Sequence, residues 1–194
     1  MRIRDASGEV VLERTTSVAT LKIAGIDDES GTVADPLEVT RAIDAAEPQA
    51  VNERAITLLA YRSRSVAEMY ERLKEDGYPL SRISDVVDRL VGIGYLDDTE
   101  YAHQFARSKA ASGWGFRKVR DGLARKGVSE EIVDSVRDEY FSGDDERERA
   151  GEIIARFDVG DRKQRDRAIR RLISKGFSPD VAFGVVRDRR DGQG

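Results

Sequence analysis

The 194-residue chain contains no cysteine, one histidine, one tryptophan and four prolines. Without cysteine there is no disulfide framework and no thiolate metal site. No apolar run approaches the ~18 residues that a membrane span requires. The opening MRIRDASGEVV lacks the apolar core of a signal peptide. These absences predict a cytoplasmic protein that keeps off membranes. Catalytic groups are as scarce. His103 stands in DDTEYAHQFA on a predicted helix and reads as a surface or packing residue. Asp97, Asp98 and Glu100 read as a helix start, with Asp97 as cap and Glu100 completing a capping box, rather than as metal ligands. GWGFRK has two glycines but no lysine–serine pair and no preceding strand, so it is a poor nucleotide loop. No nucleophile–base or paired-carboxylate arrangement has a supporting context. The sequence predicts a non-enzyme with no cofactor and no metal.

What the chain does have is one phrase written three times. LKEDGYPLSRISDVV (73–87), LARKGVSEEIVDSV (123–136) and LISKGFSPDVAFGVV (172–186) set Gly77, Gly127 and Gly176 about 50 residues apart, a period that signals tandem structural repeats. Eleven, eight and four residues before each glycine stand Val66, Met69 and Leu73, then Phe116, Val119 and Leu123, then Arg165, Ala168 and Leu172. Such offsets fall on one face of an α-helix. Each glycine then serves as a C-terminal structural cap, and Lys126 and Lys175 precede two of them at the negative end of the helix dipole. A second helix follows. Ser129 and Ser178 cap it, Pro179 takes a first helical position, and the first copy has one extra residue in the turn after Pro79. Its inner stripes are Ile83, Val86, Val87 and Leu90; Ile132, Val133 and Val136; and Val181, Val185 and Val186. A further apolar helix leads each pair, through Ala55, Ile56 and Leu59, through Ala102, Phe105 and Ala106, and through Ile153, Ile154 and Phe157. The expected fold is all-α over residues 51–190. It has three tandem three-helix repeats, at 51–94, 95–142 and 146–190, in an elongated curved array.

Residues 1–50 form a partly flexible N-terminal extension in this reading. VVLERTTSVATLKIAGI predicts one or two short strands, DDESGTVADP a loop, and PLEVTRAIDAAE a short helix starting after Asp35 with Pro36 first.

Charge is high and uneven. Charged residues make up 36% of the chain and the net charge is −4, yet residues 107–126 carry seven basic side chains against one acidic. Residues 156–175 carry eight basic against three acidic. Arg117, Lys118 and Arg125 fall opposite the apolar face of their helix, and Lys163, Arg167, Arg170 and Arg171 opposite theirs. A charged helix face is often plain solvation. A nearly uniform sign in two successive repeats has a self-repulsion cost, which favours an anionic partner. Trp114, between Gly113 and Gly115, either stacks on a base or anchors in a partner pocket, or else packs between repeats.

Taken together, GYLDDTEYAHQFARSK (94–109) and GWGFRKVRDGLARKGV (113–128) resemble the signature of the RecX regulatory proteins. Ser65, Glu68 and Leu73 in RSVAEMYERL, and Ile169, Leu172 and Gly176 in IRRLISKGF, extend the resemblance over about 51–190. Gly122 departs from it by sitting inside a helix, where glycine costs ~1 kcal/mol relative to alanine. The resemblance implies a monomeric modulator of the RecA recombinase, usually an inhibitor of its ATP hydrolysis, strand exchange and coprotease action. It implies a part in DNA repair, homologous recombination and the SOS response, with the RecA filament as partner. Single- or double-stranded DNA is the alternative partner, met directly by helix-turn-helix-like modules.

Overall fold

The structure is a computed structural model and describes residues 2–4, 10–13, 15–26 and 35–192. The chain divides into two compact units, Met1–Asp97 and Asp98–Gly194.

In the first unit, β1 (Arg2–Arg4) pairs antiparallel with β2 (Val10–Glu13). The strand signal of residues 10–26 holds only as far as Glu13. From Val18 to Ile23 the chain is helix α1 instead. The Ser17 hydroxyl accepts from the Thr20 amide at 3.0 Å, and this local cap outweighs the weak β preference of the residues that follow. Leu21 and Ile26 then pack on Val39 and Ile43. Of the predicted loop DDESGTVADP, residues 27–34 lie outside the described residues.

Helix α2 (Pro36–Tyr61) starts as the sequence predicts, with the Asp35 carboxylate accepting from the Leu37 amide at 3.1 Å and Pro36 in the first turn. It does not stop after one short segment. It runs for 26 residues, so residue 50 falls inside a helix rather than between an extension and a repeat. Two apolar faces in succession carry it: Val39 and Ile43 pack with Leu21 and Ile26, and Ala50, Val51, Ala55 and Leu58 join a second, larger core. Pro48 lies on the exposed side, where water can replace the hydrogen bond it cannot make. Ile56 also points outward, at 53% exposure, and belongs to no core. Helices α3 (Val66–Glu75) and α4 (Leu80–Gly92) close the unit. A reciprocal capping box starts α3: the Ser65 hydroxyl accepts from the Glu68 amide at 3.1 Å, and the Glu68 carboxylate accepts from the Ser65 amide at 3.4 Å. Met69, Leu73, Ile83, Val87 and Leu90 meet Ala55 and Leu58 in one core, sealed by Tyr78 and Leu96.

The second unit holds two such cores. Helices α5 (Asp98–Ala111), α6 (Phe116–Ala124) and α7 (Glu130–Tyr140) enclose the first, around Ala102, Ala106, Val119, Leu123, Val133 and Val136. Helices α8 (Gly143–Ile154), α9 (Arg162–Lys175) and α10 (Pro179–Asp191) enclose the second, around Ile154, Ala168, Leu172, Phe177, Ala182 and Val186. In the first core Gly122 has a packing role besides its helix cost. A Cβ there would stand 2.9 Å from the Phe105 ring, so the glycine lets α6 close on α5.

The three repeated glycines end their helices in one way. Gly77, Gly127 and Gly176 have φ of +88°, +72° and +94°. The amide of each bonds the carbonyl three back, and the next amide bonds the carbonyl five back: Tyr78 to Leu73, Val128 to Leu123, Phe177 to Leu172. This is a Schellman turn, which needs the left-handed conformation that glycine enters without a Cβ clash. The helices after the turn share one register as well, and the extra residue expected after Pro79 is absent. Pro79, Ser129 and Ser178 are all helix N-caps. Ile83, Val133 and Ala182 are buried at the same offset from the glycine. The apparent insertion came from counting half-buried Ile132 and Val181 as the inner position.

Candidate functional site

The segment GWGF, a poor nucleotide loop by its sequence, is a joint between the two three-helix bodies of the second unit. Gly115 caps α6 with no side-chain bond of its own. The three amides that open the helix are satisfied from the other bundle. Gly115 donates to the Lys175 carbonyl at 2.9 Å, and Arg117 to the Gly176 carbonyl at 3.1 Å. Phe116 donates to the Glu146 carboxylate at 2.9 Å. The negative end of α9 thus meets the positive end of α6, so the two helix dipoles run head to tail. The backbones touch closely enough to demand glycine on both sides. A Cβ on Gly115 would lie 2.4 Å from the Phe177 nitrogen, and one on Gly176 would lie 2.3 Å from the Lys118 Cβ. Glu146 is only 8% exposed. Sequence reasoning passed over it because an acidic residue in a first helical turn already has a local explanation.

This joint decides where the predicted cations go. Arg117 and Arg125 are exposed. Lys118 is not on the solvent side as expected. It is half-buried against Gly176, and its ammonium sits 4.3 Å from the centroid of the Trp114 ring. Trp114 packs edge-on to Phe105, at 6.5 Å and 86°, with the Lys109 ammonium 5.0 Å from its centroid. The ring is a half-buried flank of its own bundle's core, with two ammonium groups against it.

On α9 the expected group of four divides. Lys163, Arg167 and Arg170, spaced as one helix face, line a shallow groove of about 410 Å³. Arg171 turns away from them. It joins Arg156 and Lys175 in a cleft of about 450 Å³ against Ser112 and Gly113, where the Lys175 ammonium donates to the Ser112 carbonyl at 3.2 Å. The four cations expected on one face of α9 therefore lie on two separate surfaces.

His103 links α5 to α7. Its Nδ1 lies 3.0 Å from the Glu139 carboxylate and 3.4 Å from the Tyr140 hydroxyl. The hydrogen bond to Glu139 pushes the Tyr140 hydroxyl above its ordinary pKa, with burial adding to it. Among the described residues no group of His, Cys, Asp and Glu could hold a metal ion, and no helix is long and apolar enough to cross a membrane.

The comparisons with known proteins agree with one another. The first three-helix domain of RecX matches residues 53–90, and the second matches residues 97–136. The regulatory protein RecX of Mycolicibacterium vanbaalenii is 32% identical over 164 residues, covering 78% of this chain and 88% of that protein. The regulatory protein RecX of Chromohalobacter salexigens is 36% identical over 125 residues, covering 63% of this chain and 82% of that one. A crystal structure of regulatory protein RecX has the same fold, with a TM-score of 0.67 at 21% identity over 93% of this chain and 89% of that one. RecX from Lactobacillus salivarius gives a TM-score of 0.68 at 20% identity over 74% of this chain and 97% of that one. With about a third of its residues shared across most of both chains, this protein belongs to the RecX family of regulatory proteins.

Proposed function

We propose that the protein binds the RecA–DNA filament and inhibits RecA's ATP hydrolysis, strand exchange and coprotease action. The observation that carries this reading is family membership over most of the chain. The surface supports it. Arg117 and Arg125 on one bundle, and Lys163, Arg167 and Arg170 on the next, are exposed cations on rigid helices, and a protein filament coated on DNA offers both carboxylates and phosphates to them. Inhibition by occupying such a surface requires only complementarity.

The second reading is direct DNA binding, with any effect on RecA arising from competition for the strand. The Lys163–Arg167–Arg170 face favours it, because three cations at helical spacing can follow a phosphate backbone, with Asp161 and Asp166 on the same groove weakening that track. Charge removal separates the two. Arg117, Arg125, Arg167 and Arg170 are each changed to Gln. Lys118 is left alone, because it packs on Gly176 and Trp114. RecA ATPase on single-stranded DNA is then titrated with the variant, and binding to naked single strand is measured at equal salt. The filament reading expects inhibition to fall while naked-strand binding hardly changes. A parallel loss of both, with the salt slope reduced by roughly 0.7 per lost contact, would favour DNA binding. Undiminished inhibition would remove these faces from the mechanism.

A further inference from the structure

A groove of about 660 Å³ in the second unit is separate from the two basic faces of α9 described above. It lies between α9 and α10, with Arg147 of α8 at its edge. Its lining includes one exposed aromatic ring. Phe183 is 57% exposed there, beside half-buried Ile169 and buried Val186. While Ala182, Val185 and Val186 turn into the core, Phe183, Arg187 and Arg190 form a second stripe of α10 that faces outward. Four arginines, Arg147, Arg165, Arg187 and Arg190, line the same groove, together with two carboxylates, Asp166 and Asp180.

These guanidinium groups can change partners. Arg147 and Arg187 both reach Asp188 only at 3.7 Å, and Arg190 pairs with its neighbour Asp191 at 2.9 Å. Arg165 donates to the Val159 carbonyl at 3.3 Å. Ion pairs this exposed contribute little, about 0–1 kcal/mol, so a better-placed carboxylate can take the same donors in bidentate fashion.

The geometry points to a docking site for an acidic protein segment that inserts one large apolar side chain against Phe183 and sets carboxylates on the flanking arginines. Charge complementarity selects this occupant over a nucleic acid strand. A phosphodiester backbone carries one charge at every step and would bring some of them against Asp166 and Asp180. A peptide can place a neutral or basic residue at those two points. The inference does not depend on RecA being the partner, nor on the Lys163–Arg167–Arg170 face.

The test uses the full chain and two fluorescein-labelled probes: a synthetic peptide with one phenylalanine flanked on both sides by aspartate and glutamate, and a short oligothymidylate. The peptide is expected to give saturable anisotropy. Its affinity should fall roughly tenfold for Phe183→Ala and again for Arg187→Glu, the scale of losing one anchor or one paired charge. Oligothymidylate binding should be the same in both variants. Phe183 is outside the core, so circular dichroism should show native helix in each. As a second readout, amide shifts of Gly184 in the unaltered chain should move with the peptide. Peptide binding that is absent, or unchanged in both variants, overturns the inference. So does oligothymidylate binding that is lost with Phe183→Ala, which would make the groove a strand site.

Discussion

Glycine has two different jobs in this protein, and substitution can tell them apart. At Gly77 an added Cβ would meet the Thr16 carbonyl at an ordinary 3.6 Å, so alanine there faces only the left-handed backbone. Gly77→Ala is expected to cost about 1–2 kcal/mol. At Gly176 the same backbone is combined with contact against Lys118, and at Gly115 the contact is with the backbone itself. Gly176→Ala should cost more, roughly 2–4 kcal/mol, because overpacking adds to the backbone term, and Gly115→Ala about 1–3 kcal/mol from overpacking alone. Urea midpoints of the three variants provide the comparison, and equal costs at Gly77 and Gly176 would mean that the joint relaxes freely. Glu146 offers a second contrast. Glu146→Ala strands the Phe116 amide and should cost about 1–3 kcal/mol. Glu146→Gln keeps an acceptor in place and should recover most of that, which a purely electrostatic role would not allow.

At the scale of elements, α2 is the place where reading residues in short windows misleads. Asp35 and Pro36 gave its start, but the short helix read over PLEVTRAIDAAE continues through Pro48 to Tyr61. A proline in a helix interior costs ~3 kcal/mol when its missing bond and ring clash are both felt. Here Pro48 is exposed, and the core contacts of Ile43 before it and of Ala50 and Val51 after it hold the helix whole. Pro48→Ala should therefore raise stability, by up to about 3 kcal/mol, with no change in helix boundaries. A higher urea midpoint with unaltered far-ultraviolet ellipticity is the expected result. The three Schellman turns show the reverse case. Their spacing was legible because a positive φ is a local requirement at all three glycines, and at Gly127 and Gly176 a lysine at the helix end and a serine cap lie within a few residues.

At the scale of the molecule, the question is which parts can stand alone. The two bundles of the second unit share the α6–α9 joint, so cutting them apart exposes three amides of α6 and the buried carboxylate of Glu146. Residues 98–194 should melt in one cooperative transition as a fragment. Residues 98–142 should lose most of their cooperativity, since the core of one bundle is small. Thermal melts of both fragments followed by circular dichroism give the check. Independent, cooperative unfolding of 98–142 would show that the joint contributes little.

The sequence by itself determined the class, the repeat and the helix ends. Helical periodicity, left-handed glycines and N-capping hydroxyls act over a few residues, so each leaves a pattern within one window. It also carried the family signature. Only the tertiary structure decided what that signature's glycine-rich segment is for and which cations remain outward. Gly115 meets Gly176, Phe116 meets Glu146 and Lys118 turns under Trp114 through contacts between residues distant in the chain. A helical wheel gives the direction of a side chain from its own axis. Whether water or a second bundle lies in that direction depends on how the bundles pack, and no single helix contains that information.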